Sequence, residues 1–157
     1  MNEDTLPPSD ASQANDVLQR FTEVWARPTV DGFVAALDPE VRLLQPVTPV
    51  VIGREAARRE FSRLLRWLPD VRGEVDEWSS SGNTLFVGWR MKFVLGSRPF
   101  ELRIVDRIVF RDGLILEREA YFDSLRFLVA TLLRPTAWLP YLRYRGYLPG
   151  GGLTAKG

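Results

Sequence analysis

The stretch from Phe100 to Arg111, which reads FELRIVDRIVFR, alternates between apolar and polar residues. Such alternation is typical of a strand that has one face in the core and the other in water. A carboxylate, Asp106, interrupts the middle of the apolar face. Because an unpaired carboxylate costs several kcal/mol to bury, Asp106 must find a partner, hold a proton or face a polar cavity. This requirement constrains the fold of the chain more than any other feature of the sequence.

The composition excludes several classes of chemistry. The chain has 157 residues, a length that suits one domain with a sizeable core. It has no cysteine and no histidine, which excludes disulfides, thiol nucleophiles, Ser-His-Asp arrangements and most zinc sites. The net charge of +1 gives no reason to expect a nucleic-acid partner. We find no signal peptide and no membrane-spanning run, so we expect a cytoplasmic protein without integral membrane association, bound metal or cofactor.

The other periodic stretches predict an α+β order of elements. Apolar residues at helical spacing predict helices at about 14–26, 30–37, 54–68 and 124–133. Besides the opening strand, further strands are predicted at 41–45, 71–79, 84–95 and 114–122, and turn residues separate the later ones. We expect residues 1–12 to form a disordered tail, 13–148 a single domain and 149–157 a flexible tail.

Matching of apolar faces predicts which residues lie across from Asp106. A two-residue turn at Gly96-Ser97 places Val87 opposite Asp106 and aligns the apolar faces of both strands. At the next hairpin a two-residue turn aligns the faces poorly, whereas a three-residue turn, Arg111-Asp112-Gly113, places Arg118 opposite Asp106. We therefore predict an inward Asp106–Arg118 pair. It is either a buried structural ion pair or the polar centre of a ligand pocket.

The C-terminal part of the chain is apolar and basic. In its helix we expect the buried residues to be Leu125, Leu128, Val129 and Leu132. After Asp123 the chain has five basic residues and no acidic one, together with Trp138 and three tyrosines. Such a segment can bind a membrane surface or an acidic partner. Because it lacks a long amphipathic period, we expect it instead to pack across the mouth of the fold or along a dimer seam, with its arginines extended to water.

Four stretches occur in an order and spacing that carry a family resemblance. They are VLQRFTEVW, VRLLQPVTPVVIGREAARREF, VDRIVFRDGLILE and YFD, within about residues 15–134. Together they resemble the nuclear transport factor 2-like superfamily, and within it the SnoaL-like branch related to polyketide cyclases. The resemblance implies an α+β cone, in which a strongly bent antiparallel sheet wraps around the N-terminal helices and encloses a cavity, with a C-terminal helical extension. Many members are dimers, so we expect a homodimer.

The resemblance also implies roles for single residues. Asp106 matches the inward acid with which ketosteroid isomerases hold an oxyanion. Gln45 stands where those enzymes have their general base, and an amide cannot take a proton. Phe21 stands where they have a tyrosine and lacks its hydroxyl. Two of the three isomerase groups are therefore missing, and Arg118 beside Asp106 should keep that acid ionised.

Two interpretations of the function follow, and both include an apolar small-molecule ligand. The first is a cyclase, isomerase or hydratase for a cyclic, polyketide-like or steroid-like substrate, with Asp106 as acid and base, Arg118 as its orienting partner and Gln45 on a substrate carbonyl. The second is a non-catalytic ligand-binding or dimerisation module, in which Asp106 and Arg118 form a structural ion pair. The predicted pocket walls are Phe21, Trp25, Phe61, Leu65, Trp89, Met91, Ile104, Phe110, Ala120 and Phe122.

Overall fold

A computed structural model describes residues 10–46 and 48–147 of the chain. The helices are α1 (Asp10–Ala26), α2 (Val30–Ala35), α3 (Arg54–Trp67), α4 (Ser124–Leu132) and α5 (Pro135–Tyr144). The strands are β1 (Leu37–Leu44), β2 (Val51–Ile52), β3 (Arg72–Ser81), β4 (Thr84–Leu95), β5 (Arg98–Arg111) and β6 (Leu114–Phe122). The predicted α+β class with a helical C-terminal extension is confirmed.

The six strands form one curved sheet in the order β2-β1-β6-β5-β4-β3, and the sheet does not close. Neighbouring strands are antiparallel except β1 and β6, which are parallel. This pair departs from the expected all-antiparallel sheet, because the whole β3–β5 meander separates β1 from β6 and such a long connection permits parallel pairing. Bulges in the β3–β4 and β5–β6 ladders add bend and twist to the long strands.

The β4–β5 hairpin has the predicted register. Gly96 and Ser97 both have positive φ, 56° and 66°, as a two-residue type I′ turn requires. Val87 consequently lies opposite Asp106, and the apolar faces of the two strands coincide. This part of the prediction is confirmed, because a turn of defined length determines every pair along a regular hairpin.

The predicted register of the β5–β6 hairpin is wrong. Asp112 and Gly113 form a two-residue turn with φ of 51° and 71°, and a bulge follows in β6 at residue 116. Asp106 therefore lies opposite Ala120, and Arg118 lies opposite Ile108. Face matching treats strands as regular and cannot detect a bulge. The error amounts to two residues, so Arg118 still lies on the same face of the sheet as Asp106.

The N-terminal helix is longer than expected. It begins at Asp10, so the last residues of the predicted disordered tail belong to α1. Residues 1–9 of that tail, and the predicted flexible tail at 149–157, lie outside the described residues. Thr29 caps the second helix: its hydroxyl accepts a hydrogen bond from the backbone N–H of Gly32 at 3.0 Å.

The buried face predicted for α4 is wrong. Leu125, Val129 and Leu132 are exposed, and the helix instead buries Phe127 and Thr131. The α4 sequence carries two apolar stripes, and the stripe with the aromatic ring packs inward. The Phe127 ring lies 6.1 Å from the Trp67 ring, 6.4 Å from the Phe100 ring and 5.9 Å from the Tyr141 ring, measured between centroids. A large ring surrounded by other rings buries more apolar area than the leucines of the other stripe.

The helices pack their aromatic residues against the inner face of the sheet. The Trp25 ring of α1 lies 4.4 Å from the Trp89 ring of β4, between centroids, and Phe33 stacks on Phe61 at 4.1 Å. Gly73 on β3 allows this approach: a Cβ there would lie 2.7 Å from the Trp25 Cβ and 2.9 Å from the Trp89 Cζ3. The tryptophan pair therefore depends on a residue without a side chain. Trp89, one member of this pair, lies next to Asp106.

Candidate active site

Asp106 is fully buried and half of its carboxylate is engaged. Its Oδ2 accepts hydrogen bonds from the Arg118 Nε at 2.8 Å and from the Trp89 Nε1 at 3.0 Å. Its Oδ1 has no hydrogen-bond partner within the described part of the chain. The predicted partner is therefore present, although Arg118 reaches Asp106 along the diagonal of the ladder and not from the opposite position. One carboxylate oxygen retains unused hydrogen-bonding capacity.

Aromatic rings surround the guanidinium of Arg118. Its Cζ lies 5.9 Å from the ring centroid of Phe21, 5.5 Å from that of Trp25 and 5.8 Å from that of Trp89. The electron-rich ring faces attract a cation, which offsets part of the cost of removing the guanidinium from water. Arg118 thus links α1, β4 and the carboxylate of Asp106, and only 10% of its side chain is exposed.

Burial raises the pKa of Asp106, because removal from water disfavours the charged form. The positive charge of Arg118, its hydrogen bond and the Trp89 N–H act in the opposite direction. Burial is the largest of these effects, so the pKa of Asp106 lies above its usual range. The expectation that Arg118 keeps Asp106 ionised stays a prediction, and the burial of the carboxylate opposes it.

An apolar cavity lies beside this pair. The structure places nine of the predicted site residues in its wall: Trp25, Gln45, Phe61, Trp89, Met91, Ile104, Arg118, Ala120 and Phe122. Four predicted site residues are not in the wall: Phe21, Leu65, Asp106 and Phe110. Phe21, Phe110 and Asp106 are buried in the core, and Leu65 is partly buried against it. Both hydrogen-bond partners of Asp106, Arg118 and Trp89, therefore lie in the cavity wall, while Asp106 itself does not.

The cavity is narrow. Its empty volume is about 840 Å³ when the solvent at its mouth is included, but the centres of water molecules can occupy only about 90 Å³. An engineered protein cavity of ~150 Å³ binds benzene. A ligand larger than one ring must therefore extend into the mouth or displace side chains of the wall. The side chains at the mouth are those shared with the adjacent surface groove, among them Thr48, Glu60 and Tyr144.

Sequence reasoning missed a polar cluster at this mouth. The Tyr144 hydroxyl donates to the Glu60 Oε1 at 2.5 Å, and Arg63 forms an ion pair with the same carboxylate. Burial, with the negative charge of Glu60, raises the pKa of Tyr144, so this hydroxyl keeps its proton and acts as a donor. A sequence signal did exist for Glu60, which lies three residues after Ala57 and four before Leu64 on the buried stripe of α3. No local pattern links Tyr144 to it.

Further wall residues also escaped the sequence analysis. They come from β1, the loop after it, α3, the central strands and the C-terminal helices: Leu43, Pro46, Thr48, Leu64, Trp67, Phe93, Leu102, Phe127, Tyr141 and Arg145. Periodicity separates inside from outside, but it does not separate a packed core from a cavity wall.

Within residues 10–46 and 48–147, no group of three or more carboxylates is placed to hold a metal ion. None of the helices formed by these residues has the length and the apolar composition that a membrane span requires.

Comparison with a family model decides the family. The model of the SnoaL-like domain matches residues 18–118, which is more than half of the chain. The chain belongs to the SnoaL-like domain family. No curated protein matches this chain in sequence at a significant level.

Solved structures show the same fold. A candidate SnoaL-like polyketide cyclase from Jannaschia sp. CCS1 superposes with a TM-score of 0.70 at 18% identity, covering 85% of this chain and 100% of that one. TerC, co-crystallised with polyporic acid, superposes with a TM-score of 0.69 at 16% identity, covering 77% of this chain and 99% of that one. IdmH, a candidate polyketide cyclase from Streptomyces antibioticus, superposes with a TM-score of 0.65 at 18% identity, covering 76% of this chain and 98% of that one. The predicted nuclear transport factor 2-like fold and SnoaL-like branch are thereby confirmed.

The raised pKa of Asp106 predicts a pH dependence of stability. The folded protein binds this proton more tightly than the unfolded chain, in which an aspartate has a pKa of about 3.9. Relative to Asp106→Asn, the wild type should therefore lose stability as the pH rises from about 3.9 through the folded-state pKa, and the difference should be constant above it. Urea unfolding of both proteins over a pH series measures the difference. A wild type that instead gains stability relative to Asp106→Asn as the pH rises towards about 3.9, with no further change above that pH, would show that Arg118 lowers the pKa of Asp106.

Proposed function

We propose that this SnoaL-like domain binds an apolar cyclic small molecule, of the polyketide kind, in the cavity beside Arg118. The observation that carries the proposal is an apolar, largely aromatic cavity that meets a buried guanidinium at one point of its wall. Pockets of this composition bind small molecules through apolar contact and orient them with a few polar groups. The structural neighbours add support, since two are candidate polyketide cyclases and one was crystallised with polyporic acid.

The polar groups of the wall suggest how such a ligand lies. A ring entering the cavity contacts Trp25, Phe61 and Trp89, and a carbonyl or enolate oxygen at its inner end meets the guanidinium of Arg118. Gln45 is a second group in the wall with an N–H donor for a carbonyl. Substituents at the outer end meet the Glu60–Tyr144 pair. The proposed ligand is therefore apolar in the middle and carries oxygen atoms at its ends.

Catalysis by Asp106 requires a movement of the wall. A general acid or base must come within about 2.6–3.2 Å of the proton it transfers. Asp106 does not touch the cavity, so its free Oδ1 reaches a substrate only when Arg118 or Trp89 shifts. We propose that a cyclase, isomerase or hydratase of this fold uses Asp106 in this way, with Arg118 as its orienting partner.

A second candidate function is a non-catalytic ligand-binding or dimerisation module. The observation that favours it is the complete burial of Asp106, whose Oδ2 is already held by two donors. In this case the Asp106–Arg118 pair acts as a structural ion pair that holds the wall in place. A homodimer in the cytoplasm remains a prediction for both candidates.

Filling the cavity tests the binding proposal. Ala120 lies in the wall, and Ala120→Phe places a ring in the space that the ligand needs. Tryptophan fluorescence can follow the binding of apolar ring compounds, polyporic acid among them, because Trp25 and Trp89 belong to the wall. We expect quenching in the wild type, and an affinity lower by at least about tenfold in Ala120→Phe and lower to a smaller extent in Ala120→Leu.

Val105→Phe is the matched control for this experiment. Val105 is exposed on the outer side of β5, so the same ring added there should leave the affinity unchanged. Circular dichroism and cooperative urea unfolding establish that each variant is folded. The binding proposal fails if none of the compounds quenches the tryptophan fluorescence of the wild type. It also fails if Ala120→Phe and Ala120→Leu both bind the compounds as tightly as the wild type does.

Removal of the acid separates the two candidate functions. With a compound that the wild type converts, Asp106→Asn should abolish turnover, retain binding and still unfold cooperatively, because the amide preserves the shape of the side chain without the proton-transfer group. Glu101→Gln, on the outer face of the same strand, is the control and should keep full turnover. Product formation by chromatography is the measurement. Unchanged turnover in Asp106→Asn would remove Asp106 from the mechanism.

A further inference from the structure

The two C-terminal helices leave a large apolar face uncovered. Leu125, Val129 and Leu132 repeat at helical spacing on one side of α4, and Leu125 is 70% exposed. The C-terminal apolar face consists of Leu125, Val129, Leu132, Leu133, Trp138, Leu139 and Leu142. Monomeric proteins rarely expose contiguous apolar surface of this kind unless it meets a partner or a membrane.

Both helices are already anchored through their other sides. α4 is held by the buried residues Phe127 and Thr131, and α5 by Ala137 and by Tyr141, whose ring lies 5.5 Å from the Trp67 ring. The indole N–H of Trp138 donates to the carbonyl oxygens of Thr131 at 3.0 Å and Leu132 at 3.2 Å. This indole joins the two helices and places Trp138 of α5 beside Leu132 of α4. Reorientation of either helix would expose its aromatic anchors in place of the leucines.

Three arginines line a groove at the edge of this face. They are Arg98, Arg126 and Arg134, and the last two place their Cζ atoms 5.6 Å and 5.2 Å from the ring centroid of Phe100. No carboxylate among the described residues lies within 4.0 Å of any of the three guanidinium groups. The nearby carboxylate of Asp123 is engaged in capping α4, where it accepts from the backbone N–H of Arg126 at 2.8 Å. Within residues 10–46 and 48–147, the groove thus holds three cations without counter-ions.

The outer face of the sheet provides the contrast. It also exposes apolar residues, Val105 and Tyr121 among them, but charged pairs of both signs lie there as well. Arg90 pairs with Asp76 at 2.7 Å, Lys92 with Glu74 at 2.7 Å and Arg107 with Glu117 at 3.0 Å. The outer face of the sheet, with its ion pairs of both signs, is therefore well solvated by water. The C-terminal apolar face instead lies beside three arginines that form no ion pair within the described part of the chain.

We propose that the C-terminal apolar face and its arginine groove dock the protein on an anionic lipid membrane. The leucines and Trp138 enter the interfacial region, and Arg98, Arg126 and Arg134 bind the headgroup phosphates. A second copy of the chain fits this face poorly, because a two-fold contact centred on it would bring six arginines together while the nearby carboxylate of Asp123 is engaged in capping α4. The docking surface is independent of the ligand proposed for the cavity.

Sedimentation of the full chain with vesicles tests this proposal. Vesicles of phosphatidylcholine containing phosphatidylglycerol should bind the protein at low salt, and bind it less as salt rises. Vesicles of phosphatidylcholine alone should bind it much more weakly. The variant Leu132→Ser/Leu133→Ser should lower the partition coefficient on the order of tenfold or more, since it removes exposed apolar side chains that the membrane would bury. Arg126→Gln/Arg134→Gln should lower it roughly tenfold and flatten its salt dependence.

The control variant carries the same two types of change on the outer face of the sheet, Val105→Ser and Arg103→Gln. It should bind vesicles as the wild type does. The proposal is overturned if the wild type does not sediment with anionic vesicles at low salt, or if the control variant loses as much binding as the two test variants. It is also overturned if light scattering shows a dimer that Leu132→Ser/Leu133→Ser converts to a monomer, because a second copy would then cover the face.

Discussion

A buried carboxylate and a buried guanidinium each need the other, and this need organises the interior of the protein. Asp106 on β5 holds Arg118 on β6 and Trp89 on β4, so three adjacent strands are tied at one point. The same guanidinium lies against Phe21 and Trp25 of α1, which ties the first helix to the sheet. Arg118 and Trp89, the two partners of Asp106, also line the cavity. Fold and candidate site therefore share one interaction.

The sequence predicted this interaction because strand periodicity is strict. Alternation in β5 required Asp106 to point inward, and the Gly96-Ser97 turn determined its neighbour on β4. The predicted neighbour on β6, Arg118, was wrong, and Ala120 takes that position. A bulge at residue 116 follows a two-residue turn, and the apolar pattern of the sequence does not show it. The predicted ion pair is nevertheless present, because a shift of two residues leaves Arg118 on the same face of the sheet and within diagonal reach of Asp106.

The buried face of α4, the partners of Glu60 and the two roles of α5 were not predicted, because each depends on contacts between residues far apart in the sequence. α4 carries two apolar stripes, and the rings of Trp67 and Phe100 decide that the stripe with Phe127 is buried. Glu60 lies on a stripe that predicted burial, but only the folded chain shows that Tyr144 and Arg63 satisfy its carboxylate. α5 has both roles at once, since it supplies Tyr141 and Tyr144 to the cavity wall and Trp138 and Leu142 to the C-terminal apolar face.

A double-mutant cycle on the buried pair tests the central claim most directly. Asp106→Leu, Arg118→Met and the double variant would be compared with the wild type by urea unfolding. If the pair holds the interior together, each single change should cost about 3–5 kcal/mol, because it leaves one polar group buried without its partner, and the double change should recover most of that loss. A double variant whose cost equals the sum of the two single costs would show that Asp106 and Arg118 are not coupled, which contradicts the account.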